Sequence, residues 1–242
     1  MKILQPYSIG ISFIILYLAE HILPARKELT NIRHDIKNIL FGILNFGLAF
    51  TAGYYFQVVL EYANINEMGL FYQCKIYPAV LIGIEFICID VFMYWWHRFN
   101  HLVPTFWYFH KFHHSDTGMN TTSAFRFHAG ELILSYVFKL IVFCLLGIAV
   151  FPVILYSFLY VPMVIFHHSN ISISQKKDNF FRFLFVTPRM HRIHHSNLRF
   201  ETDSNYSSFF SCWDLMFQSN RKKATKEKID FGLWITFPLF YN

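Results

Sequence analysis

H-R-I-H-H, residues 191–195, sets three imidazoles within five positions of a chain otherwise rich in Phe, Ile and Leu. The pattern has an earlier counterpart, H-K-F-H-H at 110–114, and a sparser one, H-R-F-N-H at 97–101. On a helix, positions i, i+3 and i+4 share one face. His97 and His101 are i and i+4, while His110, His113 and His114, like His191, His194 and His195, fall at i, i+3 and i+4. Each group can aim its rings at one point if its segment is helical. Imidazoles so arranged suit iron, zinc, copper or nickel, whereas magnesium and calcium take oxygen.

The plainer reading, hydrogen-bonded structural histidines, suits His21 and His34, which stand alone. It fails for eight rings in three groups. Protonated together they repel; neutral and without a metal they leave several polar nitrogens to satisfy. Eight ligands also exceed the roughly four to six positions around one transition-metal ion, so two ions are expected. The zinc-protease pattern H-E-x-x-H is absent, because Lys111 and Arg192 stand where its glutamate would be.

The rest of the composition puts these clusters against a membrane. Of 242 residues, 55% are hydrophobic and 15% charged, against about 25% charged in ordinary soluble domains. Runs near the 20 or so residues needed to cross a bilayer occupy Tyr7–Leu23, Ile39–Leu60 and Ile76–Trp96. The first runs into A-R-K-E-L without a small-residue cleavage site, unlike a secretory signal. A fourth apolar region, Leu132–Phe166, is punctuated by Gly147 and Pro152 and reads as a helical hairpin with both ends on one side. The expected fold is therefore all-α: a multi-pass membrane protein of three spans plus a membrane hairpin, with a histidine-rich helical cap holding a dinuclear metal site.

Basic residues give the expected sidedness. Arg26, Lys27, Arg33 and Lys37 follow the first span, and Arg98, Lys111 and Arg126 follow the third. Lys176, Lys177, Arg182, Arg189 and Arg192 follow the hairpin, and only Lys75 lies between the second and third spans. By the positive-inside rule the rich segments, and all the histidine clusters, are cytoplasmic; an inner bacterial membrane and the endoplasmic reticulum fit equally. The net charge of +6 is explained by this placement, and no nucleic-acid motif accompanies it. Cys74, Cys88, Cys144 and Cys212 lie far apart and form no zinc or disulfide pattern. R-K-K-A-T-K-E-K at 221–228 reads as a solvated or headgroup-facing run.

Asp90, Tyr94, His97 and His101 fall on one stripe of a helix leaving the membrane. A carboxylate within a span is costly and by default functional, so Asp90 is expected to orient a ligand histidine through its second ring nitrogen. Glu85 and Lys139, both at membrane depth, are expected to pair with each other.

Taken in order, D-V-F-M-Y-W-W-H-R-F-N-H, W-Y-F-H-K-F-H-H-S, N-T-T-S-A-F-R-F-H-A-G-E, H-S-N, P-R-M-H-R-I-H-H, D-S-N-Y and W-D-L-M-F span roughly residues 76–220. This series resembles the fatty acid hydroxylase/sterol desaturase superfamily of integral-membrane non-haem di-iron enzymes, and most closely its compact bacterial-type members. The resemblance implies two iron ions (zinc being a possible occupant in purified protein) that use dioxygen to hydroxylate or desaturate a lipid C–H bond. It implies as ligands His97, His101, His110, His113, His114, His191, His194 and His195, with His128 and His168 added. Asp90, Asn170 and Asp203 are expected beside them. The chain departs from the family where Ala129 replaces a frequent proline and where His167 precedes His168. It divides on this reading into N-terminal spans (1–75), the hydroxylase-like domain (76–220) and a tail (221–242).

In the doublet His167-His168, adjacent helical positions diverge by about 100°, so only one ring should face the metals, and His168 is expected to be that one. Turnover needs electrons, and neither a G-x-G-x-x-G fingerprint nor a haem-attachment motif is present. An external donor, a ferredoxin or small b-type cytochrome with its reductase, is expected to dock on Arg98, Lys111, Arg189 and Arg192. A metal transporter or sensor would want ligands along a path through the spans, where the clusters are not. A histidine-zinc hydrolase would want a nucleophile.

Overall fold

Residues 4–234 are described by a computed structural model of the chain. Ten α-helices are formed among them: α1 (Leu4–Ile22), α2 (Ile32–Ile65), α3 (Pro78–Leu102), α4 (Pro104–His114), α5 (Ala129–Leu146), α6 (Val150–His168), α7 (Gln175–Phe181), α8 (Pro188–His194), α9 (Arg199–Thr202) and α10 (Cys212–Met216). No strand occurs among the described residues; three isolated bridges, Pro24 to Ile171, Phe185 to Phe210 and Ser196 to Phe231, pin loops together.

Helices α2, α3, α5 and α6 are long and apolar enough to cross a membrane, and α1 is a shorter apolar helix. Their outer faces carry Ile43, Phe46, Phe50, Ile141 and Leu145, all exposed. Such a surface is compatible with hydrocarbon and not with water. The expected hairpin is two complete helices of 18 and 19 residues, each about 27–29 Å long at 1.5 Å per residue. Gly147 ends α5 in the left-handed conformation at φ +75°. Gly69, also left of the ordinary region at φ +114°, backs onto it so closely that a Cβ there would sit 2.3 Å from the Gly147 nitrogen. The turn therefore requires glycine on both sides.

At 34 residues, α2 runs about 51 Å, well beyond the expected span of 39–60. Its first turns leave the apolar layer and bury Asp35 and Asn38. Both ring nitrogens of His34 face carboxylates, Asp35 at 3.1 Å and Asp116 at 2.6 Å, so the ring donates twice and acts as a structural imidazolium. Asn38 and Ser123 also donate to Asp116. This network ties α2 to the loop that follows α4.

Membrane-depth carboxylates serve the packing differently from expectation. Glu85 accepts from the Ala149 backbone N–H at 2.7 Å and so caps α6, with no contact to Lys139. Asp90 accepts from the Tyr156 hydroxyl and the Trp213 indole N–H, both at 2.6 Å, and from the Phe210 N–H at 3.3 Å. It clamps α3 to α6 and α10 and reaches no histidine, because it points toward α6 while His97 and His101 lie two and three turns further on. The segment 221–234 is also less free than its charge implies. Arg221 pairs with Asn205 through backbone and side chain, Phe231 is buried, and Trp234 stacks on Trp107 with ring centres 4.5 Å apart. The remainder of the tail, 235–242, lies outside the described residues.

Candidate metal centre

The C-terminal ends of α3 and α6 and the whole of α4 and α8 meet at one end of the bundle. Val103 is extended before Pro104, as a residue preceding proline must be. That break folds α4 back against α3, so His97 and His101 face His110, His113 and His114. Thr187 caps α8 by accepting from Met190, and Pro188 occupies its first turn. The cap starts α8 where His191 and His194 project inward, with His195 at its end.

Two groups of ring nitrogens result. His97, His101, His110, His114 and His194 form one, and His113, His168, His191 and His195 the other; within each, the candidate ligand atoms lie within 4.8 Å of one another. The groups adjoin through His114 and His195, whose rings stack at 4.3 Å. All nine side chains are buried, none more than 8% exposed.

The second nitrogen of most rings is already committed. Nδ1 of His97 donates to the Tyr206 carbonyl at 2.7 Å, His113 to Arg126 at 3.1 Å, His168 to Val164 at 2.8 Å and His194 to Ser204 at 2.7 Å. His110 Nδ1 donates to the Glu131 carboxylate at 2.9 Å. A carbonyl or carboxylate only accepts, so each of these rings carries its proton on Nδ1 and presents a bare Nε2 inward. Nε2 of His101, His110, His114 and His194 has no hydrogen-bond partner among the described residues.

The geometry also fits an ion quantitatively. His168 Nε2 lies 3.1 Å from His113 Nε2 and 3.0 Å from His191 Nε2. Since His113 and His168 both hold their protons on Nδ1, two lone pairs face each other there, a repulsive contact without a cation between them. Metal–nitrogen bonds of about 2.1 Å put neighbouring ligand nitrogens about 3.0–3.4 Å apart, which matches. Burial, reinforced by the neighbouring imidazoles, holds His113, His114, His191 and His195 well below the usual histidine range. Burial likewise pulls His194 down to about 3. Neutral imidazole is the ligand form.

Of the ten histidines expected as ligands, nine enter the two groups and His128 does not. His128 is exposed and caps α5, accepting from the Gly130 N–H at 3.0 Å. As the residue before the first turn of α5 it faces out toward Phe109. His167 is buried beside His191, ring centres 4.0 Å apart, and belongs to neither group. Asn170 hydrogen-bonds the backbone of Arg26 in both directions, at 3.1 and 2.8 Å, and touches no ligand ring. Asp203 does approach one, with Oδ1 3.5 Å from His101 Nδ1.

Two supporting carboxylates were missed. Glu131 closes the R-F-H-A-G-E motif and orients His110; its position three residues after His128 was the available signal. Glu20 Oε2 accepts from the N–H groups of Thr121, at 2.9 Å, and Asn170, at 2.8 Å. It thereby anchors the loop beyond His168 to α1, and a lone carboxylate ending an apolar run marked it.

The family model for fatty acid hydroxylase matches residues 82–219, more than half of the chain and every histidine of the two groups. The chain belongs to the fatty acid hydroxylase family. It is similar to alkylglycerol monooxygenase of Homo sapiens, 28% identical over 153 residues, covering 61% of this chain and 32% of that protein. The Xenopus tropicalis alkylglycerol monooxygenase is 32% identical over 152 residues, 62% of this chain and 32% of its own. An ornithine lipid hydroxylase of Rhizobium tropici is 25% identical over 177 residues, 71% of this chain and 52% of that relative. The chain thus spans about a third to a half of the length of these relatives. No solved structure matches it. Both histidine groups, each able to hold a metal ion, lie inside the matched region.

Proposed function

We propose that this chain is a membrane-bound di-iron monooxygenase that hydroxylates a C–H bond of a lipid, with His97, His101, His110, His114 and His194 holding one iron and His113, His168, His191 and His195 the other. The observation that carries this reading is the pair of buried histidine groups, in which five rings turn a bare Nε2 inward and the group of four sets neighbouring Nε2 atoms 3.0–3.1 Å apart. Family membership, and relatives named as lipid hydroxylases and monooxygenases, support it. The overall reaction consumes the lipid, dioxygen, two electrons and two protons, and yields the hydroxylated lipid and water. The irons would supply the dioxygen activation that side chains cannot.

The chain's own residues do the rest. A cavity of about 230 Å³ lies between α3, α5 and α6 and is bounded at one end by His97, His110, His113, His168 and His191. Trp96, Val161, Val164 and Ile165 give it an apolar wall that takes up an alkyl chain from the bilayer and keeps water from the reacting carbon. Glu131, Tyr206, Ser204 and Arg126 hold the rings in one tautomer.

Electrons come from an external donor on this reading, and its docking face keeps Arg189 and Arg192 of the four basic residues expected. Arg98 is occupied by the Tyr94 hydroxyl and the Phe217 carbonyl, each at 3.1 Å, and Lys111 lies over the Tyr108 ring. A basin of about 940 Å³ beside α8 gathers Arg26, Arg182, Arg189, Arg192, Lys222 and Lys223, in excess over the Glu28, Asp178 and Glu227 that also line it. It suits an acidic ferredoxin or small cytochrome steered by charge, with α8 alone between donor and histidines. Cytoplasmic placement of this face follows the positive-inside argument.

The test is isotopic. Protein loaded with ferrous iron in lipid vesicles, given a reducing system and ¹⁸O₂, should put one ¹⁸O atom into a lipid hydroxyl, read by mass spectrometry. Reductant and oxygen consumption with both irons bound but no labelled lipid would refute it.

A further inference from the structure

Lys139 is a cation within a membrane-spanning helix that the metal centre does not use. It was expected to pair with Glu85, but Glu85 caps α6. Among the described residues the one contact of the Lys139 ammonium is the Tyr136 ring, 4.4 Å from Nζ to centroid, with no carboxylate in reach. A charged side chain at such depth is costly and marks a functional position unless paired.

Its setting indicates what it serves. Glu131, Ser135 and Lys139 follow one another at intervals of four on α5, and all three line the cavity that ends on the histidines. Glu131 stands at the metal end, hydrogen-bonded to His110. Eight residues on, Lys139 lies about 12 Å further along the helix axis. The cavity thus carries a polar stripe along α5 that ends in the ammonium, the one cationic chain of its lining, with Asn100, Tyr160 and Ser208 as further polar groups on the other walls. A saturated hydrocarbon needs no such stripe, and a cation facing it would be a liability. An amphiphile with an oxygen set back from the oxidised carbon would use it.

We propose that Lys139 recognises the substrate by binding a carboxylate or carbonyl oxygen of the lipid, and so fixes which carbon of the chain reaches the histidines. The proposal rests on the cavity being the lipid site of the hydroxylase proposed above. The oxygen belongs either to a free acid or to an ester, and the two are separable.

Trp96 lines the cavity and reports occupancy. Dibromostearate, its methyl ester and dibromooctadecane quench tryptophan on contact, with a Trp96→Phe protein as the blank for the other tryptophans. Lys139→Met should weaken quenching by the acid, the ester or both by about tenfold or more, as expected for loss of a charge-assisted hydrogen bond. Dibromooctadecane should be unaffected. A loss confined to the acid assigns a carboxylate; a loss with the ester assigns a carbonyl oxygen. Lys139→Arg, which keeps the charge, should retain most of the binding, and metal content checks that each variant is folded.

Unchanged affinity for both oxygenated probes in Lys139→Met would overturn the proposal. So would an equal loss of all three probes, or an arginine variant as weak as the methionine one. Wild-type protein quenched by none of them would remove the lipid site and the proposal together. Lysine-dependent binding without ¹⁸O insertion would instead sink the hydroxylase reading and leave the recognition role standing.

Discussion

Replacing His168 by alanine separates the two metal positions, because the groups differ in ligand number. His168 belongs to the group of four, with His113, His191 and His195, while the other group has five members. Four-ligand structural zinc sites bind with an apparent free energy of about 10–16 kcal/mol. One ligand of four is therefore worth roughly 3 kcal/mol, or about a hundredfold in affinity, when the loss is shared evenly. Removal also frees the Nε2 atoms of His113 and His191, which lie 3.1 and 3.0 Å from that of His168, to drift apart. The group of five keeps every ligand. His168→Ala protein equilibrated at micromolar free metal and desalted should thus retain one ion per chain where the wild type retains two, by mass-spectrometric metal analysis. His167→Ala should retain both, since that ring lies outside both groups. If His167→Ala loses an ion and His168→Ala loses none, the assignment is wrong by one residue. If His168→Ala loses both ions together, the two groups are not separate sites.

Glu131→Gln removes the carboxylate that receives the His110 proton; metal affinity of the five-member group should fall about 10- to 100-fold, whereas His128→Ala should leave metal content unchanged in the same titration. Asp90→Ala strands the Tyr156 hydroxyl and the Trp213 indole N–H, which at about 1–3 kcal/mol each should lower thermal stability in detergent without altering metal stoichiometry at saturation. Loss of metal with stability intact would return Asp90 to the role of orienting a ligand. Cys74, exposed in the turn between α2 and α3, should react with a membrane-impermeant maleimide in right-side-out vesicles and be spared in inverted ones. The opposite pattern would reverse the sidedness and move the histidines to the outside.

Local patterning in the sequence settled much of this protein. Helical spacing alone predicted that the rings of each histidine cluster would turn to one side of their helix, because i, i+3 and i+4 share a face whatever surrounds them. That each cluster would serve one point did not hold, since His113 parts from His110 and His114, and His194 from His191 and His195. Runs of apolar residues likewise predicted the membrane helices, since a span must satisfy its own backbone and show hydrocarbon to lipid. The glycine of the α5–α6 turn was legible for the same kind of reason: it needs a positive φ within one segment.

What only the tertiary structure decided are pairings between segments far apart in sequence. Asp90 and His97 lie on one stripe, yet Asp90 meets Tyr156 and Trp213, 66 and 123 residues away. His128 has the chemistry of a ligand but stands at a helix start that faces outward. Most of the partners that fix the ring tautomers are backbone carbonyls, Tyr206, Ser204, Arg126 and Val164, which every residue type possesses and no sequence can mark. The partition of nine histidines into groups of five and four, with His194 leaving its cluster to join His97, depends on the crossing of α3, α4 and α8. Side-chain spacing fixes a direction from one helix axis; only the packing of several axes fixes the point where those directions meet.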